Sequence, residues 1–165
     1  MAVPFVSFVG RSGSGKTTLL VKVVRALARK GWRVGTVKHF RHDFETDRPG
    51  KDSYRHFHAG AAASMLASDR KLALVKRLRR PLRLRRIAVE LFPDMDLVVA
   101  EGFKGEPGPK IEVLRGAVSR EPVCPPRGAG LIALVCDFEV PGYPQPRFRP
   151  AEAARIVRFI EKEIL

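Results

Sequence analysis

The chain has 165 residues, of which 31 are Lys or Arg and 17 are Asp or Glu, for a formal net charge of +14 at pH 7. That length suits one domain, residues 1–165, with a core that needs no disulfide support. The two cysteines, Cys124 and Cys136, have neither a framework pattern nor zinc-site spacing, and no apolar run approaches the ~20 residues of a membrane span, which argues against a disulfide scaffold or membrane-spanning chain and for a reduced, cytoplasmic setting.

The apolar run at 3–9 reads as a strand. It leads into Gly10-Arg11-Ser12-Gly13-Ser14-Gly15-Lys16-Thr17, which carries the glycines, lysine and hydroxyl of a phosphate-binding P-loop (Walker A) at the required offsets. Its glycines can take backbone angles closed to residues with a Cβ, so successive N–H groups can turn inward around phosphate oxygens. A helix starting at the loop adds its unpaired amino-terminal donors and the positive end of its dipole. Lys16 is expected to reach the β- and γ-phosphates and Thr17 to offer its hydroxyl to magnesium. Thr18 adjoins them and is counted with the nucleotide-binding set. Leu20, Val23, Val24 and Leu27 have helical spacing within 17–30, and Gly31 supplies a left-handed stop.

Residues 33–38 read as a second strand. The polar stretch after it, rich in histidine and carboxylate, sits at a carboxyl strand end and is expected to face the phosphates. One reading is a switch-like loop in which a lysine contacts phosphate and an aspartate holds magnesium directly or through water. A transition-metal site using His39, His42, His56 and His58 and a plain surface loop are the alternatives. A short helix is expected from Asp52 or Ser53, with either as cap, to about Gly60. The apolar runs 62–67 and 72–75 could pair as strands, although periodicity does not separate helix from strand there. Basic residues crowd the stretch 70–86 with leucines interleaved and no aromatic stackers. This favours a solvated face or an anionic protein partner over nucleic acid. Residues 81–91 are expected to be helical, with Pro81 in the first turn.

Residues 97–100 form a buried-type strand with Asp96 before it and Glu101 after it. Ligands gather at the carboxyl ends of parallel strands, so Glu101 is the acid expected across the magnesium. Residues 110–114 read as an edge strand and 117–128 as irregular. Residues 131–136 form another buried-type strand, ending at Asp137. After Pro150 a closing helix carries Ile156, Val157, Ile160 and Ile164 on one stripe. Strands alternating with helices define an α/β class: a single P-loop NTPase domain with a largely parallel central sheet flanked by helices.

The segments GRSGSGKTTL, VKHFRHDFETDRPGKDS, DLVVAEGFKGEPGPKIEVLR and IALVCD, in that order and spacing, closely resemble the molybdopterin-guanine dinucleotide biosynthesis protein B family. The resemblance runs from Val3 to about Asp137, and the family belongs to a larger P-loop class that includes dethiobiotin synthetase. It implies a GTP-binding accessory protein with weak Mg-dependent GTPase activity. Such a protein acts with molybdopterin or the molybdopterin guanylyltransferase that joins GMP to it, and is a homodimer. By motif, residues 10–17 bind triphosphate, and Lys38, His39, Asp43 and the 50–53 element with Lys51 approach it. Thr17, Asp43 and Glu101 are the implied metal ligands, and Lys16 and Glu101 the implied catalytic pair. Lys104 and Lys110 match positions that meet an anionic substrate, and Asp137 sits where related folds contact the purine.

The NKxD guanine signature is absent, so the preference for GTP rests on the resemblance alone. No water-positioning glutamine is evident, and turnover is expected to be slow; Arg11 and Arg41 are the candidate arginine fingers. Rival readings are an ATP-dependent small-molecule kinase or ligase like dethiobiotin synthetase, a non-hydrolysing nucleotide-gated adaptor, and, more distantly, a nucleic-acid-binding ATPase.

Overall fold

The computed structural model describes residues 3–40 and 42–165. Arg41, one of the finger candidates, lies outside the described residues. The elements run β1 (Phe5–Val9), α1 (Lys16–Arg29), β2 (Val34–Lys38), α2 (Asp52–His58), β3 (Ala63–Ala67), β4 (Leu72–Lys76), α3 (Leu84–Leu91), β5 (Leu97–Glu101), β6 (Lys110–Val113), β7 (Leu131–Val135), β8 (Arg147–Phe148) and α4 (Ala153–Glu163). They divide into a larger unit, the described part of 1–39 with Arg83–Leu165, and a smaller one, Phe40–Leu82.

The larger unit is built on a six-stranded sheet of order β2-β5-β1-β6-β7-β8, with every neighbouring pair parallel. A parallel sheet is covered on both faces, and its inner strands therefore read as nearly continuous apolar runs. Side chains alternate between the faces with a period of two. On one face Val6, Phe8, Leu97, Val99, Ile111, Val113, Ala133 and Val135 pack against Leu20, Val23 and Leu27 of α1 and Ile156, Val157 and Ile160 of α4. On the other, Val98 and Ala100 meet Leu84 and Ala88 of α3 and Phe103, while Val9 and Leu134 join Leu114, Cys124 and Val140. Each such leucine or isoleucine, fully buried, contributes about 1.5–3 kcal/mol relative to exposure. α1 stops as expected at Gly31, whose φ of 92° suits a left-handed turn, with its N–H donating to the Ala28 carbonyl at 3.0 Å.

Two expectations are corrected. β6 is not an edge strand; it lies between β1 and β7, and all four of its residues are buried. Its alternating Lys110 and Glu112 imitate a half-solvated strand, but their charged groups find partners inside the protein. The helix expected from Pro81 begins only at Leu84, the first residue that the sheet buries. The proline-rich stretch before Pro150, for which the sequence carried no expectation, contains the two-residue strand β8, paired with β7 at Leu134↔Arg147 and Val135↔Phe148.

In the smaller unit β3 and β4 form an antiparallel hairpin from Ala63↔Lys76 to Ala67↔Leu72, which settles the helix-or-strand ambiguity in favour of strands. Lys51, in extended conformation, occupies the position before α2. Neither expected cap is used: Asp52 is already helical, and the Ser53 hydroxyl instead donates to Asp47 Oδ2 at 2.5 Å. Among the described residues no helix is long and apolar enough to cross a membrane.

Candidate functional site

The glycine-rich loop leaves the carboxyl end of β1 and turns directly into α1. Gly10 has φ 141°, and a Cβ there would stand 2.3 Å from the Val113 carbonyl oxygen on β6. The loop therefore lies flush against the neighbouring strand because this residue lacks a side chain. Gly10→Ala is expected to cost about 1–3 kcal/mol from the backbone angle alone, with the contact to Val113 adding to it. Chemical denaturation would measure the loss, and unchanged stability would refute this packing. Gly15, at φ 86°, is the amino-terminal cap of α1 and offers no side-chain hydrogen bond to the helix. The first-turn N–H groups and the helix dipole thus face outward as an anion site. The Ser14 hydroxyl is buried at the loop with no hydrogen-bond partner among the described residues.

Glu101 ends β5, next to β1, so the parallel register carries its carboxylate to the start of α1. The Thr17 hydroxyl donates to Glu101 Oε2 at 2.8 Å, and the Lys38 ammonium at the end of β2 stands 3.7 Å from Oε1. The Lys16 ammonium donates to the Arg11 carbonyl at 2.7 Å. Desolvation lowers the Lys16 pKa, the Glu101 charge opposes this, and the Lys38 charge adds to it. His39 continues from β2, with its N–H on the Glu101 carbonyl at 3.0 Å and its ring 4.7 Å from that of Phe103. Thus Lys16, Thr17, Lys38, His39 and Glu101, separate in sequence, share one end of the sheet.

Asp137 follows β7 and accepts the Gly116 N–H at 2.9 Å. Arg11 is ion-paired with Glu121 at 3.0 Å, in a well-solvated pair of the kind that contributes little stability. Lys104 is exposed. Lys110, matched by motif to an anionic-substrate position, is 3% exposed. Its ammonium donates to the Ala129 carbonyl at 2.5 Å from the amino end of β6, opposite the loop end of the sheet. In the smaller unit Asp43 accepts the Phe44 N–H at 3.1 Å and lines a cavity of about 530 Å³ with Phe44, Tyr54, Phe57, His58 and others. Lys51 is exposed, and His58 lies 3.6 Å from Glu45. Among the described residues no group of three or more His, Cys, Asp and Glu side chains gathers as a metal site.

Sequence reasoning missed two residues of the KIEVLR segment. Glu112 is fully buried and accepts the Val123 and Cys124 N–H groups at 2.5 and 3.0 Å, pinning the irregular 116–130 loop to β6. Arg115, just beyond β6, places its guanidinium over Gly15. The alternation of charged and apolar residues could have flagged Glu112 only if β6 had been recognised as an inner strand. Burial, and then the Glu112 charge, push the Cys124 thiol up to about 11, and burial also raises Cys136. At about pH 8 both should be almost entirely thiol and unreactive. A disulfide-exchange reagent should therefore label neither in the native protein and both after denaturation; rapid native labelling would contradict this burial.

A glycine-rich loop running from an inner strand of a parallel sheet into a helix, with an acid at the end of the neighbouring strand, places this chain in the P-loop NTPase fold class. The family model described as molybdopterin guanine dinucleotide synthesis protein B matches residues 5–137, and the chain belongs to that family. It is similar to the molybdopterin-guanine dinucleotide biosynthesis adapter protein of Escherichia coli K12, 40% identical over 123 residues, 73% of this chain and 70% of that protein. The protein of the same name from Haemophilus influenzae is 39% identical over 119 residues, 72% of this chain and 67% of that one. A crystal structure of molybdopterin-guanine biosynthesis protein B aligns over 96% of this chain and 98% of its own, with TM-score 0.72 and 31% identity. The Bacillus subtilis MobB crystal structure aligns over 98% of each chain, with TM-score 0.76 and 26% identity.

Proposed function

We propose that the chain binds Mg-GTP at the loop of residues 10–17 and works as an adapter in joining GMP to molybdopterin, beside the guanylyltransferase that performs the transfer. The observation that carries this reading is the Thr17 hydroxyl held 2.8 Å from Glu101 at the uncapped start of α1, in a chain similar to proteins named as adapters of this biosynthesis. These residues fit the implied ligand. The loop amides from Gly10 to Gly15 and the Lys16 ammonium are donors for phosphate oxygens, and Thr17 with Glu101 is a hydroxyl–carboxylate pair suited to magnesium, a hard cation that keeps several waters. When bound, the metal supplies neutralisation of phosphate charge.

Arg11, Ser12, Thr18, Lys38 and His39 complete the nucleotide set in this reading. The Asp137 carboxylate can accept the N1–H and 2-amino donors of guanine, whereas adenine offers an acceptor at N1. Hydrolysis is slow in this account, because no residue is dedicated to positioning the attacking water. Residues 40–82 are then an insertion in one nucleotide-binding domain of a cytoplasmic protein. A homodimer is part of the proposal, supported by Met65, Leu72 and Leu74, exposed at 56%, 70% and 44% on one face of the hairpin, an apolar surface of the kind that partners cover.

Equilibrium titration of GTP with and without magnesium tests the reading. In the wild type, magnesium should strengthen binding at least about tenfold, as expected for a metal that bridges protein and phosphates. Glu101→Gln should retain metal-free affinity and lose that increment. Equal affinity in both conditions for the wild type would remove the magnesium assignment.

A further inference from the structure

Arg115 has no part in the reading above, yet it occupies the approach to the phosphate loop. A Cβ built on Gly15 would lie 3.5 Å from both Nε and Nη2 of Arg115 and 3.9 Å from Cζ. The guanidinium therefore fills the space over the residue that caps α1, where the helix presents its free amides. Its backbone is tied into a turn, because the Arg115 carbonyl accepts the Val118 and Ser119 N–H groups, each at 2.9 Å. The guanidinium also faces Asp137, with Nη1 3.8 Å from Oδ2. That distance is longer than a hydrogen bond, and the side chains are 38% and 42% exposed, an arrangement that holds a guanidinium weakly. A phosphate offers the planar fork of an arginine two parallel charge-assisted hydrogen bonds.

We propose that Arg115 is a phosphate-contacting residue of this site: it takes the phosphates nearest Gly15, which a nucleoside diphosphate and triphosphate share, and in doing so leaves Asp137 Oδ2 to the base. The carboxylate keeps its place through the Gly116 N–H on Oδ1. One side chain thereby couples the two ends of the nucleotide, because phosphate engagement removes the cation that competes with the base for Asp137. The inference rests on the nucleotide-binding reading and deepens it.

The test titrates magnesium tripolyphosphate, which has no base, and Mg-GTP into the full-length wild type, Arg115→Ala, Arg115→Lys, Asp137→Asn and Lys16→Ala, with melting temperatures checking that each variant is folded. Arg115→Ala should weaken both ligands about tenfold to a hundredfold, the range expected for a lost charge-assisted pair. Arg115→Lys should recover part of this, since it keeps the charge and loses the fork. Asp137→Asn should tighten tripolyphosphate by about twofold to fivefold, the scale of a weak exposed ion pair, while weakening GTP.

An Arg115→Ala variant that binds both ligands as the wild type does, while Lys16→Ala binds both at least ~30-fold more weakly, would overturn the inference and leave the nucleotide reading standing. Weakening of tripolyphosphate by Asp137→Asn to the same extent as by Arg115→Ala would also overturn it, by reducing the pair to a structural tie. A wild type that binds neither ligand would overturn both.

Discussion

Replacing Lys16 with alanine is expected to cost about 2–5 kcal/mol of Mg-GTP binding, as truncating one partner of a desolvated charge pair does, or a factor of ~30 to ~5,000 in affinity. The fold should survive, because the amine's hydrogen bond in the structure is to the Arg11 carbonyl of its own loop at 2.7 Å. The pH dependence has a definite sign. Desolvation holds the free amine below its ordinary 10.5, and bound phosphates would raise it by stabilising the ammonium. Between those two values the complex retains a proton that the free protein has lost, so affinity should fall as the pH climbs through the alkaline range towards 10.5. Binding measured against pH in wild type and Lys16→Ala checks this, since the variant should lose that alkaline dependence along with its affinity. A variant within about threefold of the wild type, a difference of only ~0.7 kcal/mol, would mean that the lysine does not meet the ligand.

Glu112→Ala is expected to lower the unfolding free energy by about 2–4 kcal/mol, from two buried amides left unpaired and a cavity left behind. The carboxylate is wholly shielded from solvent. It holds the Val123 and Cys124 N–H groups, and the Tyr143 hydroxyl secures the same segment through the Cys124 carbonyl at 2.8 Å. Glu112→Gln, which keeps one acceptor oxygen, should lose less than Glu112→Ala. Denaturant titration of the two variants would show it, and a loss below about 1 kcal/mol for alanine, the range of an ordinary surface change, would mean that the 116–130 loop is anchored by other contacts.

The phosphate loop was legible because its chemistry is local. Glycines, lysine and hydroxyl lie within eight consecutive positions, and the strand before and helix after them follow from periodicity. Glu101 was legible through a rule of topology: an acid at the carboxyl end of a buried strand faces the ligand end of a parallel sheet. The role of β6 was not legible, because Lys110 and Glu112 look solvated until their partners, Ala129 and the Val123–Cys124 amides, are brought in by a loop that has no pattern. Arg115 was hidden for the same reason. Only the pairing of Ser7 with Lys110, Phe8 with Ile111 and Val9 with Glu112 sets the end of β6 beside the P-loop and carries this arginine to Gly15. The late start of α3 shows the limit of a positional preference. Pro81 permits a first turn, but burial of Leu84 and Ala88 against the sheet decides where the helix forms.

Calorimetric titration of the wild-type protein with GTP and with ATP, each in excess magnesium, decides whether the loop of residues 10–17 belongs to a guanine nucleotide site. GTP should bind at least about tenfold tighter than ATP, a difference of ~1.4 kcal/mol, with the preference lost in Asp137→Asn. Equal affinity for the two, or tighter binding of ATP, would contradict the guanine assignment and turn the search towards a small-molecule acceptor for an ATP-dependent kinase or ligase.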